Sequence, residues 1–79
     1  MAYQVLIIKK VQKDLKIINN PYRLRLDAAL VTLAIDPYIG KSLSISHLDQ
    51  YSYKVGQHRI IYKIFKSKLA VVILKVAHR

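Results

Sequence analysis

The sequence predicts an α+β fold of order β-α-α-β-β-β, with a helical hairpin packed on one face of a small, mostly antiparallel sheet. Apolar residues in the first half recur mainly with helical spacing, whereas those after residue 50 alternate or run continuously, as they do in strands. A chain of 79 residues has room for one domain, so residues 1–79 are expected to form a single unit.

The chain is predicted to begin with a strand followed by a short helix. Residues 2–8 are rich in β-branched and aromatic side chains and too few for a core helix, which favours a buried strand. Residues 10–19 place apolar side chains at i, i+4 and i+7, the spacing of an amphipathic helix. These apolar side chains are Val11, Leu15 and Ile18.

A second helix is predicted over residues 21–35, with Asn20 as its N-cap and Pro21 at the first helical position. Asp36-Pro37 ends it. Its main apolar stripe consists of Tyr22, Leu26, Ala29, Leu30 and Leu33. Much of the remaining surface is apolar too, so the helix is either well covered by the fold or leaves an apolar strip for a partner.

Three strands are predicted in the second half, after a loop over residues 38–50. Residues 51–55 alternate with period two, Gly56-Gln57 forms a tight turn, and residues 58–65 form the next strand. After a turn at Lys66-Ser67, residues 68–78 form the last strand. Its run at 69–74 is apolar on both faces, which is typical of a central strand.

Composition excludes several classes of function. The chain has no Cys and no Glu, and its four Asp are scattered, which argues against a disulfide framework, a thiol nucleophile and a paired-carboxylate site. The His residues are 11 and 20 positions apart and match no compact metal spacing. No glycine-rich phosphate loop is present. We therefore expect no metal and no cofactor.

The net charge of +10 predicts a polyanionic partner. Residues 1–40 hold six Lys or Arg against three Asp, a net of +3, and residues 41–79 hold eight against one, a net of +7. A phosphate-bearing ligand is therefore expected on the C-terminal half. Apolar runs are too short to span a membrane and no secretory signal is present, so a cytoplasmic protein without membrane contact is expected.

Side-chain parity predicts that the cations gather on one sheet face. Arg59 and Lys63 share a face of their strand, as do Lys75 and Arg79. If the helices cover one face, a basic face remains on the other, with Tyr51, Tyr53 or Tyr62 near enough to stack on a base. The alternative for these tyrosines is core packing, which is the favoured interpretation for Tyr62.

Such a face can be catalytic without carboxylates. RNA carries its own nucleophile, the 2′-OH beside the scissile phosphate. An enzyme needs to deprotonate it, stabilise the charge on the phosphorane oxygens and protonate the leaving 5′-oxygen, and Lys and Arg can stabilise that charge directly.

The sequence of residues 51–64 and 69–79 resembles the RelE/ParE toxin superfamily. The resemblance consists of an aromatic, alternating strand, a Val-Gly turn at 55–56, an Arg-Ile-Ile-Tyr strand at 59–62 and a closing Leu-Lys-Val-Ala-His-Arg run at 74–79. It implies a microbial-ribonuclease-like fold and a toxin of a type II toxin–antitoxin module. It further implies that a small acidic antitoxin masks the basic face in a hetero-oligomer.

The resemblance assigns roles residue by residue. Lys54 and Arg59 correspond to a catalytic lysine and arginine, and Arg79 to an arginine after the last strand. Ser52 stands where some members have a second lysine. The family's base-stacking tyrosine comes several residues beyond the position where this sequence ends, which leaves a short natural member, a truncated product or an attenuated variant as alternatives. The expected RNA-binding set is Ser52, His58, Lys75 and His78.

Three functions remain open from the sequence. The leading hypothesis is a RelE-like, metal-independent endoribonuclease that cuts mRNA in the ribosomal A site. The second is a ParE-type inhibitor of DNA gyrase, which is not an enzyme. The third is an inactive homologue that binds RNA or antitoxin only.

Overall fold

The computed structural model describes residues 2–43 and 50–78. Within these ranges two α-helices and five strands follow one another along the chain. They are β1 (Gln4–Ile7), α1 (Lys9–Lys16), α2 (Tyr22–Ile35), β2 (Lys41–Ser42), β3 (Gln50–Val55), β4 (His58–Phe65) and β5 (Ala70–His78). Short 3₁₀ helices lie at Pro37–Ile39 and Lys66–Lys68.

The strands form one mixed sheet of order β1-β5-β4-β3-β2. β1 pairs with β5 in parallel, and the other neighbouring strands pair antiparallel. β5 lies between β1 and β4, which confirms the central strand predicted from its apolar run. Ile61 pairs with Lys75 but Tyr62 pairs with Ile73, so Leu74 is an extra residue that forms a bulge.

Both helices pack against the same face of this sheet. The alternating residues of β4 that are buried pack with those of β5 and with the inner sides of α1 and α2. The buried core consists of Val11, Leu15, Leu26, Ala29, Leu33, Ile60, Tyr62, Ile64, Val71 and Ile73. The predicted α+β fold is therefore confirmed, with both described helices on one side of the sheet and neither of them on the opposite face.

The helix boundaries differ from the prediction at two points. α1 ends at Lys16, earlier than residue 19, and Ile18 packs half-buried against the core outside the helix. α2 begins at Tyr22 with Pro21 at the N-cap position and with no side-chain cap. Asn20 as the N-cap was wrong, because Pro21 takes that position and the backbone before the helix already turns, with the Asn19 carbonyl accepting the Arg23 N–H at 3.2 Å.

The outer side of α2 is apolar and exposed. Leu24, Val31 and Ile35 are 62%, 62% and 67% exposed, whereas Leu26, Ala29 and Leu33 on the inner side are buried. Of the two alternatives for this helix, the structure therefore favours the one in which the described residues leave an apolar strip uncovered.

The segment predicted as a loop over residues 38–50 contains structure. Pro37–Ile39 is a 3₁₀ helix, and Lys41 and Ser42 pair with β3 as a two-residue strand. The Tyr62 hydroxyl donates to the Pro37 carbonyl at 2.6 Å, which ties this segment to the core. Burial raises the pKa of Tyr62 to about 12. The part of the loop at 44–49, with His47, lies outside the described residues.

The connection between β4 and β5 is longer than the predicted two-residue turn. Lys66–Lys68 is helical, and Leu69 follows with φ 49° in the left-handed region. This conformation reverses the chain, so β5 begins at Ala70 and not at residue 68 as predicted.

Candidate nucleic-acid interface

Cationic side chains lie on the sheet face that the helices leave open. Along β4 the even-numbered residues are buried toward the helices, so Arg59, Ile61, Lys63 and Phe65 project to the opposite side. The strand pairing extends this surface over three neighbouring strands. We call it the basic face and define its cations as Lys41, Lys54, Arg59, Lys63 and Lys75.

The pairing register brings the predicted catalytic lysine and arginine together. Lys54 of β3 is the direct partner of Arg59 of β4, and Arg59 also pairs with Ala77 of β5. Cβ atoms of directly opposed residues lie about 4.5–5.5 Å apart. Two long cationic side chains therefore start from neighbouring positions, and the alanine beside them leaves space above the strand.

A second row crosses the sheet next to this pair. Ser52, Ile61 and Lys75 are register partners on β3, β4 and β5. Lys41 of β2 is opposite Ser52 on the other side. Ser52 and Lys75, both expected to bind RNA, therefore lie one row away from Lys54 and Arg59, on the same face.

A pocket of about 210 Å³ opens at the end of the sheet where the β3–β4 hairpin turns. We call it the hairpin-end pocket. Its walls combine two of the three catalytic candidates with the two predicted RNA-binding histidines. The lining residues are Lys54, Gln57, His58, Arg59, Ala77 and His78.

The two histidines enter the pocket from the helix side of the sheet. His58 is 7% exposed, and its ring lies 4.8 Å from that of His78 and 5.7 Å from that of Tyr22, measured between centroids. Burial, and secondarily the charge of His78, lower the pKa of His58 below its ordinary value of 6.5. At neutral pH His58 is therefore a neutral ring, suited to packing and to hydrogen bonding and not to charge neutralisation.

The expected tyrosine platform is not on the basic face. Tyr51 and Tyr53 share the face of Tyr62, which is fully buried, and pack half-buried against the core. The Tyr51 and Tyr62 rings stack with centroids 5.8 Å apart. Placing Tyr51 and Tyr53 near a bound base was wrong, because β3 turns its aromatic positions toward the helices and its Ser and Lys positions outward.

The geometry suits a phosphate-bearing ligand. Arg59 can offer a planar, bidentate donor pair to phosphate oxygens, and Lys54 a compact charge beside it.

Among the described residues, no group of three or more His, Cys, Asp or Glu side chains is placed to hold a metal ion. Arg79 lies outside the described residues. No described helix is long and apolar enough to cross a membrane.

The sequence of the chain matches the family described as "ParE toxin of type II toxin-antitoxin system, parDE" over residues 5–79. The chain belongs to this toxin family, within the RelE/ParE superfamily. It is thus the toxin of a type II toxin–antitoxin module, as residues 51–64 and 69–79 predicted. No curated relative matches at the level of sequence.

Solved toxin structures share its fold. A chain of the toxin–antitoxin complex RelBE2 from Mycobacterium tuberculosis is 26% identical with a TM-score of 0.89, covering 100% of this chain and 93% of its own. A chain of the archaeal RelE–RelB complex from Pyrococcus horikoshii is 27% identical with a TM-score of 0.83, and the match covers 100% of this chain and 97% of that one. The isolated E. coli RelE toxin has the same fold. It is 22% identical with a TM-score of 0.86, and the match covers 98% of this chain and 84% of that one.

Sequence reasoning missed three contributors to this toxin's interface. Gln57 lines the hairpin-end pocket from the turn, and Lys41 joins the basic face only through β2. Phe65 is the aromatic residue of β4 on that face. The parity rule that grouped Arg59 with Lys63 reaches Phe65 as well and could have found it, whereas a two-residue strand has no period to detect.

Proposed function

We propose that this toxin is a metal-independent endoribonuclease that cuts mRNA in the ribosomal A site and thereby stops translation. The observation that carries the proposal is the direct cross-strand pairing of Lys54 with Arg59 at a pocket. A cationic pair whose pocket has no carboxylate among its described lining residues suits a reaction in which the substrate supplies the nucleophile.

In the proposed reaction the 2′-oxygen attacks the adjacent phosphorus and the bond to the 5′-oxygen breaks. Lys54 accepts the 2′-OH proton or stabilises the phosphorane, and Arg59 binds two of its oxygens. These contacts strengthen as negative charge builds up in the transition state. Arg79 is assigned to stabilise the charge on the leaving 5′-oxygen, which takes up a proton from water, and the products are a 2′,3′-cyclic phosphate and a 5′-OH.

The remaining predicted residues bind RNA around this pair. Ser52 and Lys75 would contact the neighbouring phosphate, since their row adjoins that of Lys54 and Arg59. His78 borders the same pocket and is exposed, so its ring can reach a bound nucleotide. His58 is more buried and would act through its packing against His78.

An acidic antitoxin is the proposed inhibitor, and the two would form a hetero-oligomer in the cytoplasm. The mycobacterial and archaeal relatives were solved as toxin–antitoxin complexes. A protein that masks five cations on one face needs complementary negative charge.

Mapping of mRNA ends in a translation extract tests the activity. Wild-type protein should produce codon-phased cuts on ribosome-bound mRNA, with cyclic phosphate ends and no loss in EDTA. Lys54→Ala and Arg59→Ala should each reduce cutting by at least about a hundredfold. Lys13→Ala, an exposed lysine on α1 away from the sheet, is the matched control and should cut like the wild type.

Inhibition of DNA gyrase is the second candidate, because the matching family is described as ParE toxin. The same preparation should then be added to purified gyrase and supercoiled DNA. Gyrase-dependent breaks together with intact mRNA would replace the ribonuclease proposal with this one.

A further inference from the structure

The basic face extends well beyond the hairpin-end pocket along β4. Arg59, Lys63 and Phe65 share one side of this strand, and Ile61 lies between them. Phe65 lies six positions after Arg59, which corresponds to about 20 Å in a strand. A ligand longer than one nucleotide would therefore meet further side chains of the same face.

A larger cavity of about 720 Å³ lies at the far end of β4. Two lysines and two aromatic residues line it, together with one isoleucine and one serine. We call it the Phe65 cavity; its lining residues are Tyr38, Lys63, Ile64, Phe65, Lys66 and Ser67. Cations combined with aromatic rings are the surface that binds single-stranded nucleic acid irrespective of sequence.

The Phe65 ring is half-buried, and the Lys63 ammonium lies 5.2 Å from its centroid. Lys63 is half-buried as well, and a cation–π contact that is still partly exposed to solvent is weaker than the stacking of a base on an aromatic ring. Lys63 can therefore leave the ring for a phosphate while a base takes its place. The exchange keeps both groups in contact with the same strand of nucleic acid.

We propose that single-stranded RNA held at the hairpin-end pocket continues along β4 to a second subsite in the Phe65 cavity. There Phe65 stacks one base, and Lys63 and Lys66 bind the flanking phosphates. The inference rests on the proposed function and adds to it a length requirement for the substrate. The basic face, which carries no acid among its described positions, favours a polyanionic occupant along the whole path.

Binding of labelled 2′-O-methyl oligouridines tests this subsite, because they lack the nucleophile and cannot be cut. Wild-type protein should bind a hexanucleotide more tightly than a dinucleotide, by about fivefold to a hundredfold for the added stacked base. Phe65→Leu keeps an apolar side chain and should lose that gain while binding the dinucleotide normally. Phe65→Tyr keeps the ring and should retain it.

The salt dependence of hexanucleotide binding is the second arm. Lys63→Gln and Lys66→Gln should each reduce the slope of log affinity against log salt by about 0.7. Lys13→Gln, on α1, should leave the slope unchanged. The salt slopes of the Lys63 and Lys66 variants test the phosphate contacts of the subsite without Phe65→Leu, in case that variant does not fold.

The outcomes separate the inference from the proposed function. If wild type binds the dinucleotide but gains nothing with length, or if Phe65→Leu keeps the gain, the second subsite does not exist. If wild type binds no oligonucleotide and cuts no mRNA, the RNA-binding site itself fails and the inference with it.

Discussion

Gly40 lies against the Tyr62 side chain at the point where the 3₁₀ segment meets the sheet. A Cβ atom at residue 40 would overlap the Tyr62 hydroxyl and approach the Ser52 carbonyl to 3.0 Å. The same hydroxyl donates to the Pro37 carbonyl, so it cannot move away without losing a buried hydrogen bond. The requirement for glycine here is thus one of space.

Gly40→Ala is therefore expected to lower the free energy of unfolding by about 1–3 kcal/mol. In a Tyr62→Phe background the overlapping oxygen is gone, so the same change should cost clearly less. Urea unfolding of the two single variants and the double variant measures this coupling. Strictly additive costs would show that the hydroxyl is not what excludes a larger residue.

His58 is expected to make the stability of the toxin depend on pH. Because its pKa lies below 6.5 in the folded state, the unfolded chain takes up a proton at a higher pH than the folded chain. Stability should therefore fall as the pH drops from 6.5 toward the folded pKa, and this contribution should vanish above 6.5.

Urea unfolding at a series of pH values measures the free energy of unfolding. This free energy should change less with pH in His58→Gln than in the wild type. NMR titration of His58 in His78→Gln gives an independent check. Removing the neighbouring charge should raise the pKa of His58 toward its ordinary value. An unchanged pKa would show that burial alone lowers it.

At the scale of elements, the β3–β4 hairpin sets the spacing of Lys54 and Arg59. Gly56 has φ 61°, a conformation that residues with a side chain adopt at a cost of about 1–2 kcal/mol. A Cβ there would meet open space, with Arg25 Nη1 the nearest group at 3.9 Å. The requirement at Gly56 is therefore conformational, unlike that at Gly40.

Gly56→Ala is expected to destabilise the toxin by about 1 kcal/mol, and Gly56→Asn by less, since asparagine tolerates this conformation better. Thermal or urea unfolding of the two variants checks the order. Equal losses for alanine and asparagine would contradict a conformational cause.

The elements that the sequence predicted well are those with a sustained period. The alternation of Tyr51, Tyr53 and Val55 located β3, and the apolar run at 69–74 located β5. The two-residue β2 and the left-handed Leu69 have no pattern that sequence reasoning could use, because tertiary pairing and chain reversal decide them. The N-cap predicted at Asn20 was wrong because the backbone already turns at Asn19, whose carbonyl accepts the Arg23 N–H, and Pro21 takes the N-cap position.

At the scale of the whole molecule, the sheet places part of the +10 charge on one face, the basic face defined above. The sequence indicated that the excess lies in the second half and that parity collects Arg59 with Lys63. On the first of two further points, the tight turn predicted at Gly56-Gln57 already implies the register that sets Lys54 opposite Arg59. The second point, which face of the sheet the helices cover, could not be predicted. The direction of Tyr51 and Tyr53 depends on that second point, so the predicted base-stacking platform was misplaced.

In the proposed reaction Lys54 and Arg59 act as one RNA-cleaving unit. The most direct test is the single-turnover rate of mRNA cutting on ribosomes for wild type, Lys54→Ala, Arg59→Ala and the double variant. Residues that act together are non-additive, so the double variant should be about as slow as either single variant. Cutting that stays at the wild-type rate in both single variants, as in Lys13→Ala, would contradict the claim.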